Sequence, residues 1–126
     1  MSRVLVDTSV WVDHFRHHNA ELIALLALDR VLVHPLIIGE VACGTPPKRQ
    51  QVLSNLRLLR SVQQASVEEA LHFIETERLY GLGCGLVDVL LLASALMTPA
   101  TRLWTLDRCL GALAQRFDVQ HTVPLH

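Results

Sequence analysis

Short apolar runs alternate along the chain with segments whose apolar residues recur at helical spacing. The short runs predict three strands, at Val4 to Val6, Val31 to Val33 and Leu103 to Thr105. The periodic segments predict helices from near Val10, Asn19 to about Leu28, Pro35 to near Gly44, Lys48 to Leu59, Ser66 to Gly81, Leu86 to Met97, and Leu110 to Phe117. Residues 118–123 could add a last edge strand. This alternation predicts one α/β domain over residues 1–126, with a mostly parallel sheet flanked by helices.

The composition narrows the function classes only a little. Eleven basic and twelve acidic residues give a formal net charge of −1, which excludes a strong overall attraction to nucleic acid or anionic membranes. Any contact with nucleic acid must therefore be local. The most apolar segment, Leu86 to Met97, is shorter than the ~20 residues of a membrane-spanning helix. We expect a soluble, cytoplasmic protein with no membrane partner.

The cysteines predict neither a disulfide framework nor a zinc site. Cys43, Cys84 and Cys109 are odd in number, far apart in sequence, and form no C-x-x-C pair. This usage fits a reducing cytoplasm.

Three acidic residues interrupt otherwise apolar sequence. Asp7 is the only formally charged residue within 4–12, Glu40 within 31–47, and Asp88 within 79–101. Burial of a carboxylate costs several kcal/mol unless cations or hydrogen bonds compensate for the lost water. Because no basic residue is close in sequence, these acids must find partners elsewhere.

The predicted elements could bring the acids together. Asp7 and Asp107 follow strands, Asp88 lies near a helix start, and Glu40 lies on the helix after the second strand. Ligands of open α/β sheets gather at the carboxyl ends of the strands. Carboxylates that share a pocket repel each other unless a hard cation such as Mg²⁺ or Mn²⁺ neutralises them. The predicted chemistry is hydrolysis of a phosphodiester by metal-activated water.

Four motifs, in order, resemble those of PIN-domain nucleases, specifically the VapC-type toxins of bacterial toxin-antitoxin pairs. They are V-L-V-D-T-S-V-W-V, L-I-I-G-E-V-A-C-G, G-L-V-D-V-L-L-L-A-S-A and L-W-T-L-D, and the similarity covers essentially the whole chain. The resemblance implies a PIN-like three-layer fold in which Asp7 and Asp88 bind Mg²⁺ or Mn²⁺, while Glu40 and Asp107 complete the acidic site. It implies that Ser9 or Thr105 orients a ligand or water. It also implies cleavage of RNA of the tRNA or rRNA class, a homodimer, and an antitoxin partner that blocks the site.

Each motif residue also has a structural interpretation. Asp7 could cap a helix, Asp88 could favour a helix dipole, and Asp107 could close a turn. Glu40 could form a salt bridge with a distant arginine. Arg102 and Arg108, which flank the last motif, could hold phosphate or could simply be solvated.

Two other function classes remain open at this point. A catalytically silent PIN-like module that binds RNA or protein has the same sequence pattern as the enzyme. A receiver-type signalling domain has a similar length and acidic pocket but needs a lysine after a late strand. That class is disfavoured because Lys48, the only lysine, lies in a mid-chain helix.

Overall fold

A parallel four-stranded β-sheet forms the centre of the computed structural model, which describes residues 1–124. Its strands are β1 (Arg3–Val6), β2 (Val31–Val33), β3 (Arg60–Ser61) and β4 (Thr101–Trp104). They are arranged in the order β3-β2-β1-β4, with Leu5 of β1 paired to Leu32 on one side and Leu103 on the other. Since all strands run in the same direction, their carboxyl ends meet at one edge of the sheet.

Seven helices connect and cover the strands in the described part of the chain. They are α1 (Thr8–His17), α2 (Ala20–Ala27), α3 (Pro35–Ala42), α4 (Arg49–Leu58), α5 (Val67–Glu77), α6 (Leu86–Met97) and α7 (Arg108–Arg116). The predicted α/β class and the predicted helices are confirmed. Asn19 caps α2 through Leu22 N–H, and Ser66 with Glu69 forms the capping box of α5.

The core lies around β1 and α6. Val4, Leu5 and Val6 have no exposed surface, although successive side chains of a strand point to opposite faces. Both faces of the sheet are therefore covered. In α6, all seven residues of 89–95 are buried, which explains why this helix is apolar on every side.

Three local predictions differ from the structure. β3 was not predicted because its two residues, Arg60 and Ser61, are polar and exposed and give no hydrophobic signal. α5 ends at Glu77 rather than near Gly81 because Arg78 adopts the left-handed conformation, with φ 55°. Residues 118–123 form no strand, since their pairing with β4 is limited to one parallel bridge between Leu103 and Gln120.

The cysteine pattern predicted no disulfide framework, and this prediction missed one disulfide. Cys84, just before α6, is bonded to Cys109, in the first turn of α7, with their Cα atoms 5.7 Å apart. The two cysteines are 25 positions apart, and the segment between them includes α6 and β4, which fold back so that the starts of α6 and α7 are neighbours. Such long-range pairing leaves no signature in the cysteine spacing. Cys43 is free and exposed.

None of the helices described over residues 1–124 has the length and apolar character needed to cross a membrane.

Candidate active site

The four predicted acids meet at the carboxyl edge of the sheet. Asp7, Glu40, Asp88 and Asp107 all line one cavity of about 470 Å³, together with Thr8 and Ser9. Asp7 directly follows β1, Asp107 follows β4, and Glu40 lies on the helix after β2. Asp88 comes from the first turn of α6. The structure thus brings together residues that are up to 100 positions apart in the sequence, while their role in catalysis stays a prediction.

Asp7 is the buried member of the cluster, with 8% of its surface exposed. Its Oδ2 accepts hydrogen bonds from Ser9 Oγ at 2.8 Å and from Thr105 Oγ1 at 2.7 Å. It occupies the N-cap position of α1, yet its side chain makes no capping hydrogen bond. Helix capping therefore does not account for this acid, and the two hydroxyls offset the cost of burying its charge.

Ser9 and Thr105 are themselves fixed by the backbone of the segment after β4. Leu106 N–H donates to Ser9 Oγ at 2.9 Å, and Asp107 N–H donates to Thr105 Oγ1 at 2.9 Å. Each hydroxyl therefore accepts from the backbone and gives its only proton to Asp7. The two hydroxyl oxygens are 3.3 Å apart, but no proton remains for a hydrogen bond between them. This network ties the start of α1 to the start of α7.

Glu40 is exposed and is held by one neighbour in the cavity. Thr8 Oγ1 donates to Glu40 Oε1 at 2.9 Å. The ion pairs of residues 1–124 join Asp13 to His17, Asp29 to Arg60, and Glu21 to His121. The salt bridge considered as a structural explanation for Glu40 is therefore not formed.

Asp88 lies at an electrostatically unfavourable position. Desolvation raises the pKa of its carboxyl, and the nearby charges of Asp107 and Asp7 raise it further. The hydrogen bond from Gly85 N–H to Asp88 Oδ2, at 3.1 Å, acts in the opposite direction. The net shift is upward, so the ionised form of Asp88 lacks a compensating charge.

Asp107 caps a helix, a different structural role from the turn closure considered for it, and it keeps an oxygen without a hydrogen bond in the described residues. Its Oδ2 accepts from Leu110 N–H at 2.8 Å and so caps α7. The three aspartates share a pattern, because each uses Oδ2 to fix its own orientation. Within residues 1–124, the Oδ1 atoms of Asp7, Asp88 and Asp107 accept no hydrogen bond.

The free oxygens fit a hard divalent cation. Carboxylate oxygens are the ligands that Mg²⁺ and Mn²⁺ prefer, and the mutual repulsion at Asp88 is what a cation would relieve. In the described residues, no group of three His, Cys, Asp or Glu side chains is arranged closely enough to hold a metal ion. Mg²⁺ usually keeps several waters and binds through one or two carboxylates, so a looser set of acids suits it.

The two arginines near the last motif lie in different places. Arg108 begins α7 directly after Asp107 and lines a neighbouring cavity with it. Arg102 Nη1 donates to the carbonyl oxygens of Asp118 and Gln120, both at 3.4 Å, and lines a separate cavity with Gln115 and His121. Arg108 therefore lies beside the acidic cavity, in a cavity that shares Asp107 with it, whereas Arg102 lies elsewhere.

Sequence reasoning missed two residues that position the acids. Thr8 is hydrogen-bonded to Glu40 from 32 positions away, and no local sequence pattern predicts such a contact. Gly85 holds Asp88 through its backbone, and here a signal existed. An acid three residues after a helix N-cap has the spacing of a capping box, whichever residue occupies the cap.

Comparisons with known proteins extend this picture. A sequence model of the family described as "PIN domain" matches residues 4–115, which include all four acids. "Ribonuclease VapC32" of Mycobacterium tuberculosis (strain CDC 1551 / Oshkosh) is 41% identical over 109 residues, covering 86% of this chain and 88% of that protein. The protein of the same name from strain ATCC 25618 / H37Rv gives the same values.

Proposed function

Because this chain belongs to the PIN domain family and is homologous to VapC ribonucleases, we propose that it is a metal-dependent endoribonuclease and the toxin of a toxin-antitoxin pair. One observation carries the chemical part of the proposal. Four carboxylates line a single cavity, and the three aspartates each keep one oxygen without a hydrogen bond in the described residues. A purely structural cluster would use or neutralise those oxygens.

Asp7 and Asp88 are the proposed direct ligands of Mg²⁺ or Mn²⁺, with Glu40 and Asp107 completing the site. The bound cation would neutralise the carboxylates and supply an activated water for in-line attack on phosphorus. Without it, an RNA phosphate would meet only negative charge in this cavity. The cation therefore serves substrate binding as well as hydrolysis.

The protein's own residues hold the ligands in place. Ser9 and Thr105 keep Asp7 oriented, since both donate to the same oxygen. Thr8 fixes Glu40 at the cavity wall. Arg108, next to Asp107, offers the local positive charge that RNA binding needs in a chain of net charge −1. These contacts prepare the site before substrate arrives, because they do not depend on it.

The biological setting follows from the family. We expect an antitoxin protein that covers the acidic cavity, an RNA substrate of the tRNA or rRNA class, and a homodimer. A toxin that cleaves its host's RNA must act where that RNA is, so a cytoplasmic location goes with the proposal.

The test is cleavage of total tRNA and rRNA by the purified protein with Mg²⁺, with Mn²⁺ and with chelator. Asp88→Asn is the diagnostic variant. Asp29→Asn is its matched control, because Asp29 is an exposed aspartate that precedes β2 and so lies at the opposite edge of the sheet. Discrete metal-dependent products from the wild type and the control, but not from Asp88→Asn, support the enzyme. Intact RNA under every condition would instead identify a silent binding module.

A further inference from the structure

The Cys84–Cys109 disulfide joins the two segments that carry Asp88 and Asp107. Cys84 is adjacent to Gly85, whose N–H holds Asp88 Oδ2. Cys109 lies two residues after Asp107, on the turn of α7 that Asp107 caps. The covalent bond therefore connects the starts of α6 and α7 immediately beside the acidic cavity.

Apart from this bond, the loop that leads into α6 is weakly restrained. Leu79 is buried and bonded to Ile74 O, and Gly85 is bonded to Asp88. Between these two anchors, within the described part of the chain, residues 80–84 form no backbone–backbone hydrogen bond. Gly81 and Gly83 have positive φ values of 73° and 85°, which make this loop costly to order. The disulfide is thus its main tether.

The tether opposes a repulsion. Asp88, Asp107 and Asp7 line one cavity, and within residues 1–124 Asp88 forms no ion pair with a basic side chain. A start of α6 that is free to move would relieve this repulsion by separating the acids. We propose that the Cys84–Cys109 disulfide is a thiol-sensitive clamp that positions Asp88 and Asp107 for cation binding. This inference rests on the proposed function, because it assigns the clamp to the cation site of that nuclease.

The bond is placed where a reductant can reach it. Cys84 and Cys109 are half-buried and line an open cavity of about 640 Å³ together with Arg108. Attack on one of the two sulfurs releases the other as a thiolate.

The exchange balances with a dithiol as the reductant. Its first thiolate bonds to Cys84 Sγ while the S–S bond breaks and Cys109 leaves as a thiolate. Its second thiol then displaces Cys84 and closes to a disulfide. Two electrons and two protons thus pass to the protein, which retains two thiols. The Cys109 sulfur lies 3.4 Å from Leu82 O, where the reduced thiol can make a weak hydrogen bond in place of the covalent link.

The primary test measures Mn²⁺ affinity by calorimetry, so it does not depend on RNA cleavage. Cys43→Ser serves as the working background because it removes the free thiol and leaves the disulfide pair intact. Its oxidised form is compared with the form reduced by dithiothreitol and desalted without oxygen. We expect roughly tenfold weaker Mn²⁺ binding on reduction, restored by reoxidation. The variant that also carries Cys84→Ser and Cys109→Ser should bind Mn²⁺ as weakly as the reduced form, and dithiothreitol should not change its affinity.

Hydrogen exchange of the metal-free protein gives a second readout. We expect amides in residues 80–88 to exchange faster after reduction, while those of β1 stay unchanged. Equal Mn²⁺ affinity in all three forms, or unchanged exchange at 80–88, would overturn the clamp. Either result would leave the proposed nuclease function unaffected. An absence of Mn²⁺ binding in every form would instead overturn the proposed function, and the clamp with it. Failure of the purified protein to form the bond under mild oxidation, seen by mass spectrometry, would also overturn the clamp.

Discussion

The acidic cavity has two sides that are built differently. On one side, Asp7 is buried and fixed by two hydroxyl groups, which are themselves fixed by backbone donors. On the other side, Asp88 and Asp107 lie at helix starts, and each is oriented by one backbone N–H of its own helix. The first side is a long-range network between β1, α1 and β4, whereas the second side is local. The cavity thus combines a rigidly held acid, Asp7, which we call the anchor, with two locally held acids, Asp88 and Asp107, which we call the adjustable side.

The largest effect is expected when Asp7 loses its charge. We expect Asp7→Asn to reduce RNA cleavage by at least about 100-fold, because a lost ligand charge removes several kcal/mol of transition-state stabilisation. It should also lower the free energy of unfolding, since a neutral amide oxygen accepts weaker hydrogen bonds from Ser9 and Thr105 than a carboxylate oxygen does. Single-turnover cleavage and urea denaturation measure the two effects. Asp29→Asn is the control, and wild-type cleavage by folded Asp7→Asn would refute the anchor.

A smaller effect is expected when the anchor keeps its charge but loses a donor. Thr105→Val has nearly the same shape and removes the 2.7 Å hydrogen bond to Asp7. Leaving a buried carboxylate with one donor fewer should lower the free energy of unfolding by about 1–3 kcal/mol. Cleavage should fall by about tenfold, as for other residues that orient a metal ligand.

Thr122→Val is the control for this change, because Thr122 is exposed in the segment after α7. A double-mutant cycle with Ser9→Ala separates the two hydroxyls. Because they share Asp7 Oδ2, their effects on stability should not be additive. Additive effects would mean that the two hydroxyls act independently, contrary to the network.

The adjustable side should respond to the loss of charge with the opposite sign in stability. In metal-free buffer, we expect Asp88→Asn to raise the free energy of unfolding by about 0.5–1 kcal/mol, because it removes a repelling charge from the cavity. The asparagine side-chain oxygen can still accept from Gly85 N–H. The measurement is urea denaturation of wild type and variant as a function of pH.

The pH dependence follows from the raised pKa of Asp88. The folded state holds the Asp88 proton more tightly than the unfolded state does. Destabilisation by ionised Asp88 therefore begins as the pH rises past the unfolded-state pKa and is complete above the raised folded-state pKa. The advantage of Asp88→Asn should be full above the folded-state pKa of Asp88 and vanish below its unfolded-state pKa. An advantage that grows in acid, or a destabilised variant at neutral pH, would contradict the repulsion.

The sequence predicted the fold and the convergence of the acids because these depend on local patterns. Apolar runs located the strands that have a hydrophobic signal, and helical periodicity located the helices. Parallel strands then place their carboxyl ends at one edge of the sheet. The partners of the acids depend on tertiary contacts instead. Thr8 and Glu40 are 32 positions apart, and Cys84 and Cys109 are 25 apart, so neither pairing leaves a local pattern. The short strand β3 is likewise defined by its neighbour β2 rather than by its own residues.

The smallest expected effect concerns Glu40, which lies outside both sides of the comparison. Thr8→Val removes the hydrogen bond that Glu40 Oε1 accepts from Thr8 Oγ1, but both residues are accessible to water, which can replace the lost donor. We expect cleavage to fall only about two- to fivefold and stability to change by less than about 0.5 kcal/mol. The measurement is the rate of single-turnover cleavage at saturating and at limiting Mn²⁺. If Thr8 only orients Glu40 toward the cation, the loss should be largest at limiting Mn²⁺ and shrink at saturation. A loss as large as that of Thr105→Val would place Glu40 within the anchor, because only a rigidly held ligand depends so strongly on a single hydroxyl.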